Sequence, residues 1–362
     1  MPAVIGDDAV FGYRRTISLT VRGNGAKRVG GFHAVHDPDV IVPITQCLIA
    51  HTDVQAAWDV VRRNLAQLPL VRATVAVTPP GDRRDRRGTS SRRIGAREAA
   101  ADVVRGAARD DLRLSVRRLD SGDIALVVQG GVRWHGDDVA ALASRVPHCS
   151  AVWWEPAGRA LRLVWDRDAG AVEESASDDQ RDEHRDDALA IATSFVQVNE
   201  SVADLLHAHV ESVVLRESPG TVVDAYAGTG RLALALAARG VEVTAIEFDA
   251  RAVAFTAARL AAPSRALAGT VESLIGDTLP ADVIVLNPPR AGVDAAVTEA
   301  LSAPLGASDA PRLLVYVSCD PATLARDVAR LAGWRVESVT CFDMFPQTAH
   351  VETVCLLRPE GL

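Results

Sequence analysis

The 362-residue chain contains no apolar run long enough to span a bilayer, and its N-terminus carries no basic, apolar, small-residue leader pattern. Those absences predict a cytoplasmic protein with no membrane partner; a monomer is expected separately. Also missing is any C-x-x-C pair. Cys47, Cys149, Cys319, Cys341 and Cys355 are scattered and odd in number, which argues against a disulfide framework and against a zinc site. No metal is expected. The chain lacks an excess of positive charge as well: its formal net charge is -8. Nonspecific electrostatic sticking to nucleic acid is thereby excluded as the main activity, although a local basic groove remains compatible with that total.

What is present is enough apolar sequence for two cores, with 48% hydrophobic and 24% charged residues. The pattern predicts an α/β protein in two parts. Residues 1–188 read as a smaller α+β domain, with strands near Arg14–Val21, Gly30–Phe32, Val40–Ile44, Leu112–Val116 and Ile124–Val128. Helices are expected over Val54–Leu68 and Asp137–Arg145. Two segments break that texture. One is Pro79–Arg97, where Arg83, Arg84, Arg86, Arg87, Arg92, Arg93 and Arg97 read either as a solvated loop or as a phosphate-contacting arm. The other is the acidic stretch Asp166–Asp187, which reads as an exposed hairpin tip or loop. From 189 to 362, short apolar strands (Val222–Val223, Val241–Ile246, Asp282–Leu286, Leu313–Val317) alternate with helical stretches (Leu232–Arg239, Ala250–Leu260, Ala295–Leu301, Pro321–Leu331). That alternation predicts a doubly wound, Rossmann-like sheet with ligands at the strand C-termini.

The first chemistry-bearing motif is Val-Val-Asp-Ala-Tyr-Ala-Gly-Thr-Gly-Arg-Leu-Ala (222–233), which leaves a strand and opens a helix. Gly228 and Gly230 permit a tight turn and a close backbone approach, and Glu247 ends the next strand where an acid can accept both hydroxyls of a ribose. Gly228, Gly230 and Ala233 also satisfy the dinucleotide form G-x-G-x-x-A. Asp224 tilts the choice: a carboxylate beside the turn would repel a pyrophosphate but suits the sulfonium and ammonium of S-adenosylmethionine. Asn287-Pro288-Pro289-Arg290 ends a later strand as a rigid lip. Further on, Cys319 lies in Tyr-Val-Ser-Cys-Asp-Pro-Ala-Thr-Leu-Ala-Arg-Asp (316–327), and Glu352 in Asp-Met-Phe-Pro-Gln-Thr-Ala-His-Val-Glu-Thr (343–353).

Together with Ser-Phe-Val-Gln-Val-Asn (194–199), these blocks resemble the RNA uracil-5-methyltransferase family of the TrmA/RumA type. A weaker similarity covers Tyr13-Arg14-Arg15, Gly31-Phe32 and Val42–Cys47. The resemblance implies a Rossmann-like methyltransferase domain, an RNA partner (tRNA or rRNA) and S-adenosyl-L-methionine as methyl donor. It assigns Cys319 as nucleophile and Glu352 as base. It places Gln197, Asp224, Tyr226, Gly228, Gly230, Glu247 and Asn287 around the donor, and Pro288 and Arg290 where the target base is positioned. The chain departs from the family pattern at Asn287, where the family has Asp, and at Arg231, where Asn is common. Thr270 and Asp277 are both imperfect matches to its adenine-side acid or amide. The family's small N-terminal β-barrel and its iron–sulfur cysteines have no counterpart here, because only Cys47 matches and one thiolate cannot hold a cluster. An N-terminally shortened chain is the favoured expectation, with a natural minimal form as the alternative.

The chemistry needs these residue types. Carbon 5 of uracil is too weak a nucleophile to attack a methyl sulfonium until a thiolate adds to carbon 6, and a base must then remove the carbon-5 proton. Pro321 at a helix start predicts a dipole that favours the Cys319 thiolate, opposed by Asp320 unless that side chain faces away. Outside its motif, Glu352 would read as an exposed charge on an edge strand over Val351–Leu357. His350 reads as a structural hydrogen-bonder, and Cys341 and Cys355 as core. Two other classes remain open: methylation of an exocyclic base amine, and a non-catalytic RNA-binding remnant.

Overall fold

The computed structural model describes residues 2–71, 104–105, 111–172, 197–302 and 310–360. The arginine-rich segment 83–97 and most of the acidic stretch therefore lie outside the described residues. Two compact units divide the chain. One joins Met1–Arg15 to Ser177–Leu362, and the other is Thr16–Ala176. The first fifteen residues, read from sequence as part of the α+β domain, thus belong with the C-terminal unit. The reason is a strand: Ala3–Ile5 (β1) pairs in parallel with Thr340–Phe342.

The middle unit is built on a nine-stranded sheet. Its strands are Thr16–Arg22 (β2), Val29–Ala34 (β3), Asp37–Pro43 (β4), Val104–Arg105 (β5), Leu112–Arg118 (β6), Ile124–Gln129 (β7), Cys149–Glu155 (β8), Arg162–Asp166 (β9) and Gly170–Ala171 (β10), in the spatial order β10-β9-β8-β7-β6-β2-β3-β4-β5. Thr52–Arg63 (α1) and Gly136–Ala143 (α2) supply Val54, Trp58, Val61, Val139 and Leu142 to the core over this sheet. The helix expected to run to Leu68 stops at Arg63, because Asn64 turns its side chain back onto the Val60 carbonyl (2.7 Å) and a short 3₁₀ turn follows. The expected turn in the acidic stretch is visible at its start, where Gly170 and Ala171 pair back onto Asp166 and Trp165.

The C-terminal unit begins with the long helix Glu200–Arg216 (α3), capped by the Asn199 side chain. Thr221–Ala225 (β11), Arg231–Ala237 (α4), Glu242–Glu247 (β12), Ala250–Ala257 (α5), Arg265–Ala268 (β13), Val271–Leu274 (α6), Val283–Leu286 (β14), Ala295–Ser302 (α7), Leu313–Ser318 (β15), Pro321–Val328 (α8), Trp334–Phe342 (β16) and Glu352–Pro359 (β17) follow. The eight-stranded sheet runs β1-β16-β17-β15-β14-β11-β12-β13. Its strands β11 to β15 are mutually parallel, and β17 lies antiparallel between β15 and β16.

Alternate residues of these strands feed two separate cores. Val222, Val243, Val283, Val285, Val315 and Val317 pack with α3 and α4 on one face. Val223, Ile246, Ile284, Leu286, Leu314 and Tyr316 pack with α6, α7 and Leu324 of α8 on the other. A sheet covered on both faces is the doubly wound arrangement expected from the alternating pattern. The strand order reverses between β11 and β14, which fixes a crevice at their C-terminal ends. Among the described residues no helix is long and apolar enough to cross a membrane.

Candidate active site

The glycine turn sits at that crevice. After β11, Tyr226, Gly228 and Gly230 all adopt positive φ (62°, 57° and 70°). Gly230 is obligatory for a second reason: a Cβ there would fall 2.3 Å from Cγ2 of Thr256. For Tyr226 the left-handed conformation is strained, and such strain is retained where surrounding structure over-determines it. The turn is tied to the next strand by the Glu247 carboxylate, whose Oε2 accepts from the Gly228 amide (2.9 Å) while Oε1 accepts from the Asp249 amide (2.9 Å). Each oxygen keeps acceptor capacity, so the carboxylate can still receive ribose hydroxyls.

Asp224 is only 3% exposed, and its Oδ2 has no hydrogen-bond partner among the described residues. Burial, reinforced by the charge of Glu247, pushes its carboxyl up to about 7, against a lowering pull from the Ala233 amide. Among the described residues Gln197 likewise presents a buried oxygen, Oε1, with no partner. Two buried acceptors without a partner among the described residues suit a cationic donor, and the ammonium of S-adenosylmethionine is one. The residues present therefore fit the group that the sequence implied. One residue the motif reading missed is Phe248, directly after Glu247 and 76% exposed at the same turn. Thr270 lies close by, since the Gly269 amide bonds the Glu247 carbonyl (3.0 Å), while Asp277 is exposed on a 3₁₀ turn.

The second half of the site comes from strand pairing. Ser318, the last residue of β15, pairs with Thr353 of β17, so Cys319 and Glu352 leave and enter the sheet at neighbouring positions. Because β17 is an interior strand, Glu352 is 3% exposed rather than an edge charge. Burial pushes its carboxyl up to about 7, partly offset by the positive charge of Arg290. Cys319 is half-buried, and its thiol is pushed up, first by burial and then by the Glu352 charge. Arg290 pulls it back through charge and a hydrogen bond. The expected lowering of this thiol by a helix dipole is thus overridden. Asp320 does face away from it: as N-cap of α8, its Oδ1 accepts from the amides of Ala322 (2.9 Å) and Thr323 (3.0 Å).

Asn287 continues the β14–β11 ladder through its amide to the Ala225 carbonyl (3.2 Å), and its side chain is exposed. Pro288 is buried, while Arg290 is exposed at the lip. His350 contacts Phe345 edge-on at 6.0 Å, a packing contact in the loop before Glu352. Cys355 is buried in the core as expected, whereas Cys341 is half-buried on β16. Cys47 is half-buried in the middle unit, where its amide bonds the Gln55 side chain.

A doubly wound sheet with an acid-flanked glycine turn at its switch point defines the Rossmann-like methyltransferase class, and the comparisons agree. Residues 200–305 match the methyltransferase small domain, and residues 272–360 match the tRNA (Uracil-5-)-methyltransferase family. Over its C-terminal half the chain is thus similar to RNA uracil-5-methyltransferases of the TrmA/RumA type. An uncharacterized RNA methyltransferase of Gloeobacter violaceus is 43% identical over 172 residues, 46% of this chain and 36% of that protein. The 23S rRNA (uracil(747)-C(5))-methyltransferase RlmC of Shewanella amazonensis is 36% identical over 175 residues, 46% of this chain and 44% of that protein. The match thus spans less than half the length of these curated relatives. The crystal structure of Pyrococcus abyssi tRNA (uracil-54, C5)-methyltransferase, in complex with S-adenosyl-L-homocysteine, shares the fold with a TM-score of 0.61 at 18% identity, covering 98% of this chain and 78% of that one.

Proposed function

We propose that the protein transfers a methyl group from S-adenosyl-L-methionine to carbon 5 of a uridine in tRNA or rRNA. The observation that carries this reading is the antiparallel pairing of β15 with β17. It brings Cys319 and Glu352 together at the sheet edge that also holds the glycine turn. Gln197, Asp224, Tyr226, Gly228, Gly230, Glu247 and Asn287 would hold the donor, with Phe248 against its adenine. The donor supplies an electrophilic methyl on a sulfonium. The Cys319 thiolate adds to carbon 6 of the uracil, and the electron pair moves to carbon 5 and the carbonyl oxygen. Carbon 5 takes the methyl, and the sulfonium leaves as a neutral thioether. Glu352 then accepts the carbon-5 proton; the S–C6 bond breaks, the C5=C6 double bond returns and the thiolate is released. Arg290 stabilises the thiolate at both ends of the cycle. A carboxyl held near 7 is matched to giving and taking a proton at neutral pH.

RNA containing 5-fluorouridine tests the reading, because fluorine at carbon 5 cannot leave as a proton and stalls the enzyme as an adduct. Incubation with the donor should give a denaturation-resistant protein–RNA complex, absent with Cys319→Ala. An adduct that persists in Cys319→Ala refutes the assignment of the nucleophile. Release of a methylated base amine without 5-methyluridine would instead select the amine-methyltransferase reading.

A further inference from the structure

The loop that carries Arg290 is held almost entirely by one helix. The Arg290 carbonyl accepts from Thr323 Oγ1 (3.1 Å), and the Ala291 carbonyl from Arg326 Nη2 (2.7 Å). Gly292, at φ +79°, packs so closely that an added Cβ would lie 2.2 Å from Asp327 Oδ2. The Val293 amide donates to that same oxygen at 2.9 Å. Four consecutive loop residues are therefore gripped by three positions of α8, the helix whose N-cap, Asp320, directly follows Cys319.

Asp327 is the anchor of this grip. It is 0% exposed, and its Oδ2 also accepts from the Tyr316 hydroxyl (2.7 Å), while Oδ1 accepts from Arg326 Nε (2.9 Å). Arg330 adds a longer ion pair at 3.6 Å. Tyr316 lies on β15, three residues before Cys319. A buried carboxylate with this many donors is stable only where all of them converge, so its position is fixed to the strand, the helix and the loop at once.

We infer that Asp327 is a positioning residue: with Thr323 it locks the 290–293 loop to α8 and so sets the Arg290 guanidinium against Cys319. The inference rests on Cys319 being the nucleophile of the proposed reaction. In that frame, the helix following the nucleophile also delivers the cation that stabilises its thiolate, and one rigid element sets both partners.

The test reads Cys319 alone, without RNA: the rate of its alkylation by iodoacetamide against pH, followed on the Cys319 peptide by mass spectrometry. Asp327→Asn keeps the shape but removes the charge that holds the loop. It should raise the apparent pKa of the Cys319 thiol by about one pH unit and slow alkylation about tenfold at neutral pH. Binding of S-adenosylhomocysteine at the glycine turn should be unchanged. In an Arg290→Ala background the same substitution should have no further effect on alkylation, because both act through one guanidinium. A merely structural role would leave the pH profile in place or lower reactivity equally in both backgrounds, and either result overturns the inference. Should Asp327→Asn fail to fold, Thr323→Val removes one loop contact at the surface, and the same two comparisons decide. Adduct formation on 5-fluorouridine RNA by the unaltered protein separately judges the underlying reaction.

Discussion

Replacing Glu352 by Gln should make the protein more stable in alkaline solution and inactive. The unperturbed carboxyl titrates at 4.5 and the buried one at about 7. At ~1.4 kcal/mol per pH unit, this rise corresponds to about 3 kcal/mol of cost for carrying the ionised group in the fold. The sign follows from proton counting. Below pH 4.5 the carboxyl is neutral in both folded and unfolded chains, and no cost exists. Between 4.5 and about 7 the unfolded chain has lost its proton while the folded one holds it, so stability falls as pH rises. Above about 7 the loss is complete. Gln is neutral throughout and nearly isosteric. The variant should match the unaltered protein at pH 4.5 and exceed it at pH 8.5. For a unit of this size, about 3 kcal/mol corresponds to about 6–12 °C in the unfolding midpoint. Thermal unfolding of both proteins from pH 4.5 to 9 measures this directly. A midpoint difference that stays flat across that range would refute the claim that burial, rather than solvent, sets this carboxyl. With the repelling charge gone, the Cys319 thiol should also alkylate faster in the variant than in the parent at pH 8.

Other substitutions probe the rest of the site. Asp224→Asn should stabilise increasingly between pH 3.8 and about 7, since burial also lifts that carboxyl to about 7, while weakening S-adenosylmethionine binding as followed by calorimetry. Gly230→Ala should cost about 2–4 kcal/mol through its positive φ and the collision with Thr256, and it should abolish donor binding; thermal unfolding with and without S-adenosylhomocysteine reads both. Tyr13→Phe removes the buried hydroxyl that donates to the Pro346 carbonyl (2.9 Å) in the loop before Glu352. It should cost about 1–2 kcal/mol and lower the methylation rate more than donor affinity.

The coupling of Tyr13 to Pro346 shows where reading along the chain stops. The two residues are 333 positions apart, and no periodicity near Met1 signals that β1 will add to a sheet made from the last third of the protein. Phe248 was equally silent, since a single aromatic after an acid carries meaning only once its ring is known to be exposed. The Thr16–Ala176 unit was read in part. Its central strands alternate clearly, but β8 and β9 are tryptophan-containing segments, half to fully buried, whose run of apolar residues does not distinguish strand from loop.

By itself the sequence determined the periodic elements of the C-terminal unit, the glycine turn, and the residue types able to perform methyl transfer. These depend on local spacing, and local spacing is what a chain displays. The electrostatic state of the site was decided only in three dimensions. A helix dipole was expected to favour the Cys319 thiolate. Instead, burial and Glu352 oppose it, and Arg290, fixed by the grip of α8, restores part of the balance. Desolvation and charge pairing depend on what surrounds a group, and strand order, not sequence order, sets those surroundings.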